Sequence, residues 1–78
     1  MEKLKAIISE YAGIEADKIS EDMRLVRDIG LDSFALISMV MDIEKTFDVN
    51  ISDEDLSKFQ TLKDVVGYLK ERSSKFDK

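Results

Sequence analysis

The first segment of the chain repeats apolar positions with the period of an amphipathic helix. Its four apolar residues are spaced i, i+3, i+4 and i+7: Leu4, Ile7, Ile8 and Tyr11. Gly13 follows them, and glycine tolerates the left-handed conformation in which many helices end. The pattern predicts a helix over residues 2–11.

The next twenty residues, 13–32, hold neither a helical nor a strand period for long. Turn-forming residues cluster between Asp17 and Asp22, while apolar residues recur irregularly from Ile14 to Leu31. The segment is therefore predicted to be a long ordered loop, held against the core by its apolar side chains. A connection of this length is more often functional than idle.

Residues 33–47 give the clearest helical pattern, with Asp32 as a favourable N-cap. At about 100° per residue, five apolar side chains share one arc, the expected core face: Leu36, Met39, Val40, Ile43 and Phe47. Three others, Phe34, Ile37 and Met41, form a second stripe centred about 130° away. Either the helix packs on several sides, or the second stripe is an exposed patch for partners, with Glu44 in its charged rim.

Two capping signals divide the remaining chain. Ser52 stands three residues before Asp55, and Thr61 stands three before Asp64. They predict a short helix over residues 53–58 and a longer helix over 62–72, with residues 73–78 as a flexible tail. The predicted fold is all-α, a four-helix bundle of three longer helices and one short helix with a long first loop, forming one domain over residues 1–72.

Composition narrows the possible functions. The 78 residues include 17 acidic and 12 basic side chains, for a net charge of −5, and no Cys, His, Trp or Pro. These absences exclude a zinc finger, a His-based triad, a thiol nucleophile and a disulfide scaffold. The acidic balance argues against nucleic acid, and no apolar run is long enough for a membrane span or a signal peptide. We expect a small soluble cytoplasmic domain.

Ser33 is the candidate for chemistry. It opens the long helix, where unpaired N–H groups and the helix dipole favour negative charge, so an attached phosphate would be stabilised there. A nucleophilic role fails because the chain has no His base and no Gly-x-Ser-x-Gly motif. Ser33 is better explained as an attachment point, although an ordinary helix-start serine stays possible on position alone.

The run Ile-Gly-Leu-Asp-Ser-Phe over residues 29–34 resembles the Gly-x-Asp-Ser-Leu motif of acyl carrier proteins. The resemblance covers nearly the whole chain, from the first helix to the Thr61-Leu62 start of the last. It implies a four-helix bundle with 4′-phosphopantetheine, derived from coenzyme A, attached to Ser33 through a phosphodiester. The thiol of that arm would carry acyl groups as thioesters, so the protein itself would not be an enzyme.

The resemblance also implies roles for the residues near Ser33. Asp32 matches the acidic residue that flanks the attachment serine. The second stripe and its neighbour Glu44 match positions that contact partner enzymes. The core face matches core positions, some of which line an acyl pocket. The implied partners are a phosphopantetheinyl transferase and acyl-loading, synthase and acyltransferase enzymes, and we expect the carrier to be a monomer.

Some positions depart from the pattern of fatty-acid carriers. Ala35 and Ser38 stand where carboxylates are usual, Lys45 reverses a charge, Phe34 replaces a Leu, and Leu36 replaces a smaller residue. Electrostatic steering towards basic enzymes should be weaker as a result. The resemblance implies a carrier of acyl intermediates in fatty-acid, polyketide or related specialised biosynthesis. The departures favour a dedicated carrier of one specialised pathway, such as polyketide or modified-lipid synthesis.

Two other functions stay open. The chain could be a helical interaction module without a cofactor, or an aminoacyl or peptidyl carrier, although those more often show Gly-Gly-(His or Asp)-Ser before the helix.

A calcium loop starting at Asp48 does not fit. Its sixth position is Asp53 rather than Gly, and its twelfth is Phe59 rather than Glu.

Overall fold

Four helices make up the framework of the structure, a computed structural model that describes residues 2–76. In chain order they are α1 (Glu2–Ala12), α2 (Ser33–Phe47), α3 (Asp53–Leu56) and α4 (Leu62–Arg72), with a 3₁₀ turn at Ala16–Lys18 that the sequence did not indicate. The predicted all-α fold of three longer helices and one short helix is confirmed.

The helix boundaries follow the predicted capping residues. The Asp32 carboxylate accepts a hydrogen bond from the Ala35 N–H at 2.8 Å, and α2 begins where predicted. The Ser52 hydroxyl accepts one from the Asp55 N–H at 3.1 Å. Helix α3 nevertheless ends two residues earlier than predicted, because the chain tightens there: the Lys58 N–H bonds to the Asp55 carbonyl, only three residues back.

The start of α4 is fixed by the Asp64 carboxylate. One of its oxygens accepts hydrogen bonds from the backbone N–H groups of Gln60 at 2.9 Å and Thr61 at 3.1 Å. These bonds favour the ionised form, and they lower the pKa of Asp64 below its ordinary value of 3.8. The predicted capping arrangement at this helix is therefore present.

The long first loop is ordered, as predicted, and it runs beside the start of α4. The Leu25 N–H donates to the Gln60 carbonyl at 3.0 Å, and the Leu62 N–H donates to the Met23 carbonyl at 3.0 Å. Apolar side chains of the loop are buried in the core: Ile19, Leu25, Ile29 and Leu31. Backbone pairing and burial together give this loop a defined position relative to α2.

The core lies between the helices and the first loop. Four of the five predicted core-face residues of α2 are buried: Met39, Val40, Ile43 and Phe47. Leu36 is only half-buried and packs at the edge of the core, because it lies close to the exposed start of α2. Helices α1 and α4 supply the opposing buried residues: Leu4, Ile8, Leu62, Val65, Val66 and Leu69.

The chain after α4 packs against the end of α2. Phe76 is 7% exposed, and its ring centroid lies 5.5 Å from that of Phe47. The Ser73 hydroxyl also donates to the Phe47 carbonyl at 2.6 Å. The flexible tail over residues 73–78 stays a prediction, although the single apolar side chain of residues 73–76 reaches the core in the structure. The last two predicted tail residues, 77–78, lie outside the described residues.

Candidate functional site

Ser33 is exposed and occupies the first position of α2. Two features of the preceding chain bring it there. Gly30 adopts φ +86°, a left-handed conformation that glycine tolerates best, and this turns the chain ahead of the helix. The Leu31 N–H then donates to the Leu25 carbonyl at 3.2 Å, which ties the approach to the buried part of the loop.

The electrostatics at Ser33 suit an attached phosphate. Helix α2 is 15 residues long, and its N-terminus carries the positive end of the helix dipole. Its first turn contains no acidic side chain, and the flanking Asp32 is engaged with the Ala35 N–H. An exposed hydroxyl at such a helix start fits a phosphodiester, whose negative charge the dipole and the free N–H groups favour.

The second stripe of α2 is open to solvent. Phe34 is 81% exposed, Met41 60% and Ile37 52%, although all three are large apolar side chains. The structure thus favours the interpretation of an exposed patch over that of a helix packed on several sides. The patch starts directly after Ser33 and continues down the helix, so a protein that docks on it would also approach Ser33.

Glu44, the residue predicted in the charged rim of the second stripe, also makes a structural contact. Its side chain is half-buried, and its carboxylate accepts a hydrogen bond from the Ile51 N–H at 2.8 Å. The bond is possible because Asp48 ends α2 with φ +56° and turns the chain back towards the helix. Glu44 therefore holds the connection between α2 and α3, a role that depends on the path of the loop and that periodicity could not reveal.

A second unpredicted contact joins α1 to α2. The Tyr11 hydroxyl donates a hydrogen bond to the Asp42 carboxylate, and this bond raises the pKa of Tyr11 above its ordinary value of 10.0. The two residues are 31 positions apart, so no local pattern indicated the pair. Asp42 is thereby fixed in place on the side of α2 that faces α1.

Within residues 2–76, no helix is long and apolar enough to cross a membrane. In the same part of the chain, no group of three or more His, Cys, Asp or Glu side chains is arranged to hold a metal ion.

Comparisons with known proteins place the chain in a class. The pattern of the family described as "Phosphopantetheine attachment site" matches residues 2–69. An acyl carrier protein of Onion yellows phytoplasma is 44% identical over 68 residues, which cover 87% of this chain and 90% of the relative. An acyl carrier protein of Thermotoga maritima is 40% identical over 70 residues, which cover 90% and 86%.

A solved structure agrees with these matches. A candidate acyl carrier protein of Mycobacterium tuberculosis superposes with a TM-score of 0.83 at 28% identity, over 90% of this chain and 93% of that one. Fold and sequence thus define a protein of the phosphopantetheine-bearing carrier class. Within that class, the chain belongs to the acyl carrier protein family, whose cofactor is covalently attached phosphopantetheine.

Proposed function

We propose that Ser33 bears the 4′-phosphopantetheine arm of this acyl carrier protein. The observation that carries the proposal is the exposed Ser33 hydroxyl at the start of a 15-residue helix. When bound, the arm supplies a thiol on a flexible tether, and an acyl group can be carried on that thiol as a thioester. The chain's own residues position the attachment point and present it to partners.

Asp32 has two parts in this proposal. One carboxylate oxygen caps α2 through the Ala35 N–H, which fixes the side chain beside Ser33. Its other oxygen accepts no hydrogen bond from residues 2–76, so it remains available to a basic residue of a phosphopantetheinyl transferase. The same residue would then shape the helix start and help to recognise the enzyme that modifies Ser33.

The chain itself would perform no catalysis. It contains no His, and the carboxylate next to Ser33 is occupied in capping rather than bonded to the serine hydroxyl. A carrier needs no such machinery, because the acyl chemistry takes place in its partner enzymes. We propose that this carrier works in the cytoplasm as a monomer.

We further propose that partner enzymes dock on the second stripe. These enzymes are the transferase and the acyl-loading, synthase and acyltransferase enzymes that a carrier must visit. Phe34, Ile37 and Met41 supply an exposed apolar surface that begins beside Ser33. Because Ala35 and Ser38 are uncharged and Lys45 is basic, long-range attraction to basic enzymes is weak, and the apolar contacts carry more of the binding. This balance suits a carrier with a specialised set of partners.

Transfer of the arm tests the proposal about Ser33. The protein is incubated with coenzyme A and a promiscuous phosphopantetheinyl transferase, and its intact mass is measured. We expect the wild-type chain and a Ser38→Ala control to gain one phosphopantetheine, and Ser33→Ala to gain none. Ser38 lies on the same helix, so the control accounts for any general effect of removing a hydroxyl from α2.

An unmodified wild-type chain with several transferases would contradict the proposal. In that case the exposed second stripe would favour the alternative of an interaction module without a cofactor. Modification that persists in Ser33→Ala would also contradict it, by placing the arm on a different residue.

A further inference from the structure

We propose that an exposed turn of the first loop is a second docking surface, which takes an acidic partner surface bearing an apolar side chain. This arginine patch consists of Arg24, Val26, Arg27, Phe59 and Gln60. The proposal rests on the proposed function in one respect, since the patch would give this carrier a second contact with a partner. The residues of the patch are distinct from those of the second stripe.

The apolar part of the patch is Val26. It is 62% exposed, whereas Leu25 before it and Ile29 after it are buried. Val26 thus contributes little to the core, and it stands between two exposed arginines. Together with the half-buried Phe59, these side chains line a surface depression of about 420 Å³. An apolar side chain of a partner could enter such a depression while its carboxylates meet the arginines.

Several hydrogen bonds of backbone N–H groups hold the turn that presents the patch. The Ile29 N–H donates to the Arg24 carbonyl at 2.9 Å, and the Asp28 carboxylate accepts from the Arg24 N–H at 2.9 Å. The Leu25 N–H donates to the Gln60 carbonyl at 3.0 Å, which fastens the turn to the segment before α4. A surface fixed in this way loses little conformational entropy when a partner binds.

The charge of the patch indicates the kind of partner. Within residues 2–76, neither Arg24 nor Arg27 lies within ion-pair distance of a carboxylate. The nearby Asp28 carboxylate is engaged by the backbone of the turn. Two unpaired arginines beside an apolar side chain match a protein surface of carboxylates around an apolar residue. A nucleic acid or an anionic membrane fits less well, because the wider surface of a chain with net charge −5 would repel an extended polyanion.

The patch is also linked to the start of α2. Leu31, two residues before Ser33, donates its N–H to the carbonyl of Leu25, which adjoins the patch. The turn and the residues that lead into Ser33 are thus parts of one ordered loop. A partner that contacts both the second stripe and the arginine patch would be oriented by two separate contacts.

The test uses the full chain labelled with ¹⁵N and a synthetic peptide in which Glu and Leu alternate. A control peptide has Lys in place of Glu. We expect the acidic peptide to shift the amide resonances of the arginine patch, and we expect the basic peptide to leave them unchanged. Raising the salt concentration should weaken binding, since the attraction is between exposed charges.

Two variants with the same change in net charge separate the patch from the overall charge. The double variant Arg24→Glu/Arg27→Glu should bind the acidic peptide about tenfold more weakly. The matched control Lys3→Glu/Lys70→Glu, at exposed positions on α1 and α4, should bind it almost as well as the wild type. Equal weakening in both variants would overturn the proposal, because it would show an effect of net charge alone.

Other outcomes would also overturn it. These are shifts confined to another surface, no binding of the acidic peptide, or comparable shifts of the patch with phosphatidylglycerol vesicles. Failure here is distinguishable from failure of the proposed function, because modification of Ser33 is measured separately by mass. If the chain gains its arm but does not bind the acidic peptide, it is a carrier without this second docking surface.

Discussion

Near the start of α2, a single residue can have both a structural role and a proposed functional role. Asp32 caps the helix and flanks the proposed attachment serine, and both features depend on residues close in sequence. Because these features are local in sequence, Asp32 and Ser33 could be predicted as cap and helix start. The hydrogen bonds of Glu44 to Ile51 and of Tyr11 to Asp42 could not, because they require the folded path of the chain.

Substitution of two glycines by alanine should have opposite effects. Gly30 has φ +86°, so Gly30→Ala should lower the free energy of unfolding by about 1–2 kcal/mol. Gly67 lies within α4 with open space around its missing Cβ, so Gly67→Ala should raise that free energy by about 0.5–1 kcal/mol. Urea unfolding measures both. Equal destabilisation by the two substitutions would contradict the conformations assigned to them.

At the scale of elements, α2 presents one apolar face to the core and another to solvent. Its period and its cap predicted the helix and its core face, but periodicity alone could not decide whether the second stripe is covered as well. That depends on how the first loop and the other helices pack around it. The structure buries Met39, Ile43 and Phe47 and leaves the second stripe exposed.

The two faces of α2 should respond differently to substitution. Met41→Glu should leave the unfolding midpoint nearly unchanged, because the side chain is exposed, but should lower kcat/KM for transfer of the arm roughly tenfold. Thr46→Glu, an exposed control on the same helix, adds the same charge and should have little effect on transfer. Loss of folding in Met41→Glu would show that the residue belongs to the core.

In contrast, the buried Phe47 supports the whole fold. Phe47→Ala should lower the free energy of unfolding by about 3–5 kcal/mol, which is a large part of the stability of a domain this small. Circular dichroism during urea or thermal unfolding measures the change. A loss below about 1 kcal/mol would contradict the packing at the end of α2.

The cap of α4 should contribute to the pH dependence of stability. The pKa of Asp64 is lower in the folded chain than its ordinary value of 3.8. The ionised carboxylate therefore contributes to the stability of the fold above that pH. This contribution is lost as the pH falls through the folded-state pKa. Asp64→Asn should therefore destabilise the protein most at neutral pH, with the difference from wild type shrinking below about pH 4. A difference that does not depend on pH would contradict the role of the ionised carboxylate.

At the scale of the whole molecule, the four helices and the first loop close around one core with the chain end as an added layer. The helical bundle could be predicted, because the three longer helices each carry a helical period and α2, α3 and α4 each begin after a predicted capping residue. Packing of the chain end could not be predicted, because Phe76 is the single apolar residue of a polar segment and forms no periodic pattern. Burial of Phe76 against Phe47 shows that the core extends past the last helix.

Removing this added layer should weaken the fold. Phe76→Ala should lower the free energy of unfolding by about 3 kcal/mol, because it opens a gap beside Phe47. Lys75→Ala, at the exposed neighbouring position, is the matched control and should change it by less than about 0.5 kcal/mol. Similar stabilities of the two variants would indicate that the chain end does not pack on the core in solution.

We propose that Ser33 alone among the eight serines of the chain carries the arm. The most direct measurement is peptide fragmentation by mass spectrometry after the protein has been modified with coenzyme A and a phosphopantetheinyl transferase. We expect the added mass on Ser33 and on no other residue. Localisation of the phosphopantetheine to any other serine would contradict it.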